Sequence, residues 1–201
     1  MIDLKAARDN AILASRYWVD QNLNILDTET TGLDGNAAII EAAVISLGSG
    51  AVLFNRLIKP SRPIPCEASR AHGIFDADVA DAANWATVRE QFFNAVKNKV
   101  LVYNADYGIR LTQQTDTAAG FPAIRPLSAY CVMKAYAAFA GEISLRRPSF
   151  KYHKLADAAR SLGVSLPEGL RPHRALAGCF LTRGLVKAMA LYPLSTEEPR
   201  H

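Results

Sequence analysis

The sequence predicts an α/β protein, a mixed five-stranded sheet with helices on both faces. Three observations lead there. An apolar meander of three short strands fills residues 23–58. Helix-like and strand-like segments alternate from residue 87 onward. Half of the 201 residues are hydrophobic and 21% are charged, the balance of one globular domain with a sizeable core.

Residues 3–20 read as an amphipathic helix, with Ile12, Leu13, Tyr17 and Trp18 on its buried side. The first strand covers about 23–29, and residues 37–47 form the second. Ser49-Gly50 makes a turn, and 51–58 returns as the third, giving antiparallel pairs. Pro60, Pro63 and Pro65 interrupt regular structure and mark a loop. Residues 87–97 are a helix with Thr87 as cap and Glu90 three residues on. A buried strand over 100–103 leads into a helix over 107–117, with Asp106 read as its cap. Pro122 and Pro126 frame the next loop, and 129–140 passes from strand into helix. The segment 141–154 is polar and basic without a clear period. Residues 155–162 are a helix ended by Gly163, and 173–191 are the last helix. Residues 1–192 thus form one domain on which the N-terminal helix (1–22) packs, and 193–201 are a flexible tail.

Composition narrows the function. No apolar run is long enough for a membrane span, so no membrane association is expected. The first residues lack the basic start and apolar middle of a signal peptide. Cys66, Cys131 and Cys179 fit neither a zinc pattern nor a disulfide framework, which points to a reducing cytoplasm. The net charge of +4 is unevenly placed: residues 141–190 hold nine Lys/Arg against three Asp/Glu. That half suits a polyanion.

The chemistry is concentrated in Asp27-Thr28-Glu29-Thr30-Thr31-Gly32. Alternate side chains on a strand share a face, so Asp27 and Glu29 point the same way. Two adjacent carboxylates repel, and a hard divalent cation removes the conflict. The Thr-Thr-Gly turn that follows brings backbone N–H groups within reach of a phosphate or sugar.

This hexapeptide after an apolar strand resembles the first motif of the DnaQ-like (DEDDh) 3′–5′ exonuclease superfamily. The resemblance runs from about Leu23 to Met189 and implies a ribonuclease H-like fold. It further implies a site of four acids holding two Mg²⁺ or Mn²⁺ ions, with a histidine as general base. The second motif matches Tyr103-Asn104-Ala105-Asp106-Tyr107-Gly108, with Asn104 and Tyr107 aligned but Gly108 at the carboxylate position. The third matches His173-Arg174-Ala175-Leu176-Ala177-Gly178, which sets His173 at the base position and Gly178 at that of the fourth acid. The segment Ala71-His72-Gly73-Ile74 is also similar, with no catalytic role assigned.

The resemblance gives Asp27 and Glu29 as catalytic and metal residues and His173 as base. Thr30, Thr31, Gly32, Leu33, Asn104 and Tyr107 would meet the terminal nucleotides, and Arg146, Arg147, Lys151 and Lys154 would meet phosphates. With two acids left, one ion binds weakly, and hydrolysis is expected to be very slow or absent. A second ion requires a substitute acid, for which Glu41 and Asp157 are candidates. Three readings follow: an impaired exonuclease that binds single-stranded DNA or RNA 3′ ends, an active enzyme using substitute ligands, and a protein-interaction module. A protein partner such as a replication or repair complex is compatible with the first.

Overall fold

The computed structural model describes residues 2–97, 99–122, 127–145 and 148–195. Its five strands are β1 (Asn24–Thr30), β2 (Ile39–Ser46), β3 (Val52–Leu57), β4 (Val100–Val102) and β5 (Ala129–Cys131). They lie in the order β3-β2-β1-β4-β5. The meander β1-β2-β3 is antiparallel, and β4 and β5 add parallel to β1. This is the expected mixed sheet.

Helices cover both faces. Ile25, Ala43, Ile45 and Leu101 pack with α1 (Leu4–Asp20), α6 (Val132–Ala140) and α8 (Ala175–Ala190). Leu26, Val44, Phe54 and Val102 pack with α4 (Trp85–Val96) and α5 (Ala105–Ala118). The split follows strand alternation, odd residues of β1 facing α8 and even ones facing α5. Between these elements lie α2 (Cys66–His72), α3 (Asp76–Val79) and α7 (Leu155–Ser161).

Several local expectations are corrected. Ala11, Ile12, Ser15 and Trp18 form the buried stripe of α1. Leu13 and Tyr17 fall beside that stripe and are exposed. Helix α4 starts at Trp85, capped by Asn84, whose Oδ1 accepts from the N–H of Thr87 at 3.0 Å. Asn104 is the cap residue of α5, and Asp106 lies inside the first turn, paired with Lys134 at 2.7 Å. Helix α8 begins at Ala175, because His173 adopts a left-handed backbone (φ 55°). Within the segment expected as a tail, the Ser195 N–H and Oγ both donate to Asp9 Oδ1. Residues 196–201 lie outside the described residues.

Candidate active site

The C-terminal half of β1 places Asp27 and Glu29 on the α8 face of the sheet. The ladder sets Glu29 directly opposite Glu41 of β2, and Asp27 opposite Ala43. Directly opposed residues share a face, so three acids converge under the start of α8.

Glu41 is only 4% exposed and is fully engaged. Arg174 Nη2 donates to its Oε1 at 2.6 Å and Arg174 Nε to its Oε2 at 3.0 Å. The Ala175 N–H adds a bond to Oε2 at 2.9 Å. A buried carboxylate is tolerated when paired and hydrogen-bonded in this way, and the pair fastens the first turn of α8 to β2.

Asp27 is half-buried, and its carboxylate lies against the backbone of α8 at Gly178. A Cβ at residue 178 would overlap that carboxylate. This supplies the reason for a glycine inside a helix, a residue costing about 1 kcal/mol there against alanine: the carboxyl approaches closely only because no side chain intervenes. Gly108 lies on the opposite face. A Cβ there would sit 3.1 Å from Val102 Cγ1, so only a small adjustment of Val102 would admit a side chain.

Burial pushes the Asp27 carboxyl well above the usual range, and the nearby charges of Glu29 and Glu41 add to it. Glu29 is raised to about 7, first by burial and then by Glu41, with Arg174 opposing. A raised folded-state value means that the fold favours the protonated acid. Stability referred to Glu29 is therefore fully present below its ordinary 4.5 and lost as pH rises through about 7. Glu29→Gln is accordingly expected to raise the melting temperature at pH 8 in chelator and to leave it nearly unchanged at pH 4. Melting curves across this range check the sign, and a variant less stable at pH 8 would contradict it.

The turn after β1 is held from below by α5. Tyr107 Oη donates to Gly32 O at 2.7 Å and stands 2.7 Å from Thr30 Oγ1. Arg110 donates to the carbonyls of Leu33 (3.0 Å) and Asp34 (3.2 Å). Gln114 Nε2 donates to Asp34 O and Ala37 O, each at 3.1 Å. These bonds fix a turn whose crest presents Leu33, 79% exposed. Thr30, Gly32 and Tyr107 are thus joined by hydrogen bonds, with Thr31 and Leu33 in the same turn.

Other expected residues are arranged differently. Asn104 is exposed at the start of α5. His173 is exposed at the entry to α8. Lys154 is exposed before α7, and Lys151 is paired with Glu142 at 2.8 Å. Arg146 and Arg147 lie outside the described residues. Of the two substitute acids, Glu41 stands in the cleft but is held by Arg174, while Asp157 is exposed and paired with Arg160.

Sequence reasoning missed Arg174, Arg110 and Gln114. One signal was present for the first: a lone acid in the run Ile39-Ile40-Glu41-Ala42-Ala43 must have a partner if the strand is buried.

Comparison with known proteins identifies this architecture. A family model described as Exonuclease, that of the RNase T family, matches residues 25–182. The chain belongs to this exonuclease family. "Uncharacterized exonuclease CP81" of Escherichia phage 186 is 39% identical over 192 residues, covering 90% of this chain and 95% of its own. Exodeoxyribonuclease 10 of Escherichia coli (strain K12) is 31% identical over 169 residues, covering 82% of this chain and 66% of its own. Among solved structures, exonuclease X in complex with 5′ overhanging duplex DNA superposes with a TM-score of 0.61 at 29% identity, covering 87% of this chain and 96% of that one.

Exonucleases of this family typically use divalent metal ions. The donors found here do not fit a two-ion centre. Asp27 is turned against α8 and Glu41 is occupied by Arg174. No group of three His, Cys, Asp or Glu that could hold a metal occurs among the described residues.

Proposed function

We propose that this exonuclease-family protein binds single-stranded nucleic-acid 3′ ends and hydrolyses them very slowly or not at all. One observation carries the reading. The Asp27–Gly32 turn is intact and rigidly supported, while the two positions where the family resemblance expects further acids are Gly108 and Gly178. At the second of these, the Asp27 carboxyl fills the space a side chain would need.

A turn built for a 3′ end has been kept apart from the charge that would drive hydrolysis. Leu33 offers an apolar surface to the terminal base, and the turn's backbone groups lie beside it. Lys154 and the basic segment before it supply attraction without reading sequence. Phosphodiester hydrolysis needs the attacking and leaving oxygens clamped by two ions, and each missing 1.36 kcal/mol is a tenfold loss of rate. A single Mg²⁺ or Mn²⁺ on Asp27 and Glu29 is the most these donors hold. The DNA-directed relatives make single-stranded DNA the first ligand to test.

Filter binding with a 5′-labelled oligonucleotide is expected to show affinity that falls steeply with salt. The same strand, incubated with Mn²⁺ at high protein concentration, is expected to stay full length. Brisk shortening that Asp27→Ala abolishes would establish the active reading instead. Affinity that ignores salt, or no affinity at all, would remove the nucleic-acid reading.

A further inference from the structure

Across the β1–β2 ladder, Glu29 and Glu41 stand opposite each other on one face. Like charges so placed are destabilising, and a cation is required between or beside them. In this chain that cation is a side chain. Arg174 grips Glu41 with two of its nitrogens and remains 30% exposed. Its Nη1 makes no hydrogen bond among the described residues, so one edge of the guanidinium is left free of protein acceptors. The buried residue His72 stands on α2. Its Nδ1 accepts from the Ile74 N–H at 3.1 Å.

We infer that Arg174 is the resident cation of this cleft, and that it holds the terminal phosphodiester of a bound 3′ end without any divalent ion. The inference rests on the 3′-end reading above and deepens it. A guanidinium is permanently charged, and its planar fork matches phosphate oxygens. Glu41 orients the fork from behind, and the strained His173 backbone sets where it emerges. With Asp27 drawn against Gly178, the approach to Arg174 carries one close acid fewer than a cleft with every carboxylate turned inward.

The test is binding of a 5′-labelled single strand in EDTA and in Mn²⁺. The parent is expected to bind about equally in both. Glu41→Gln with Arg174→Gln replaces the ion pair by a neutral hydrogen-bonded one, and melting curves report whether that variant folds. It should lose about tenfold in affinity in EDTA, and its salt dependence should flatten by about one phosphate contact. An independent readout uses the parent alone: the Arg174 Nε–H resonance should shift when the oligonucleotide is added in EDTA. Parent binding that needs Mn²⁺ overturns the inference and leaves the 3′-end reading standing. No binding under either condition overturns that reading as well. Binding in EDTA with an unmoved Arg174 resonance, or with full affinity in the folded double variant, makes Arg174 a clasp between α8 and β2 only.

Discussion

Replacing Gly108 and Gly178 together by aspartate is expected to create manganese-dependent shortening of a 5′-labelled strand where the parent gives none. The expectation follows from what each glycine accommodates. At 178, a new Cβ overlaps the Asp27 carboxylate, the end of a short side chain with other staggered positions available. Asp27 therefore leaves its seat against α8 and turns into the cleft. At 108, the new Cβ meets only Val102 Cγ1 at 3.1 Å, and a shift of a few tenths of an ångström relieves it. The variant then carries acids at all four positions where the family resemblance expects them. In EDTA these repel, so it should melt below the parent. Mn²⁺ at a hundred times its dissociation constant should return about 2.7 kcal/mol, which for a chain of this size is a rise of roughly 5–10 °C. The parent should show little such rise. Either single replacement is expected to fall short, because three acids still leave the second ion under-held. A folded double variant with neither metal-linked stabilisation nor digestion would mean that the carboxylates are not what the site lacks.

Most of the fold could be read from local pattern, and the particular residues explain why. The meander was visible because β2 is apolar apart from Glu41 and Ser46 and its turn is Ser49-Gly50. The helices α4, α5 and α8 were visible because they run for three turns or more. By contrast α2 covers only Cys66–His72, between Pro65 and Gly73, too short for an amphipathic period to show. Its C-terminal Gly73 sits in the left-handed region (φ 70°), where a glycine is the natural helix stop. The start of α4 was displaced because Asn84, three residues before Thr87, is the cap, its Oδ1 accepting from the Thr87 N–H.

The site divides along the same line. Asp27, Glu29 and the turn up to Leu33 are contiguous, and strand alternation alone puts both acids on one face. Arg174 and Glu41 are 133 residues apart, and no local pattern pairs them. The seat of Asp27 depends on the separation of a helix from a sheet, which the sequence hints at only through a glycine out of place. Long-range pairing thus decided how the recognisable motif is used.

The second large effect is expected far from the cleft. Asp116→Ala should destabilise the protein by about 3–5 kcal/mol, lowering the melting temperature by roughly 10 °C. Asp116 lies on α5 and is 2% exposed. Its Oδ1 accepts from Trp85 Nε1 at 2.7 Å and from Arg89 Nε at 2.8 Å, and its Oδ2 accepts from Arg89 Nη2 at 3.1 Å. Both donors are on α4, so this one carboxylate ties the two helices of that face together. The Arg89 guanidinium is also stacked between Phe93 and Phe121, 4.8 and 4.5 Å from their ring centres. Truncating Asp116 leaves a largely buried cation and an indole N–H without acceptors, which costs more than the bonds themselves contributed. Arg89→Met with Asp116→Leu should therefore recover a large part of the loss, leaving chiefly Trp85 Nε1 unpaired. Denaturant melts of the three variants measure this, and an Asp116→Ala protein within 1 kcal/mol (about 2–4 °C) of the parent would refute it. The effect reaches the site through α5, because the same helix carries Tyr107, Arg110 and Gln114, which hold the turn bearing Leu33. Below its melting point, Asp116→Ala should accordingly bind a 3′ end more weakly than the paired apolar variant, since only the latter restores the packing of α5 on α4.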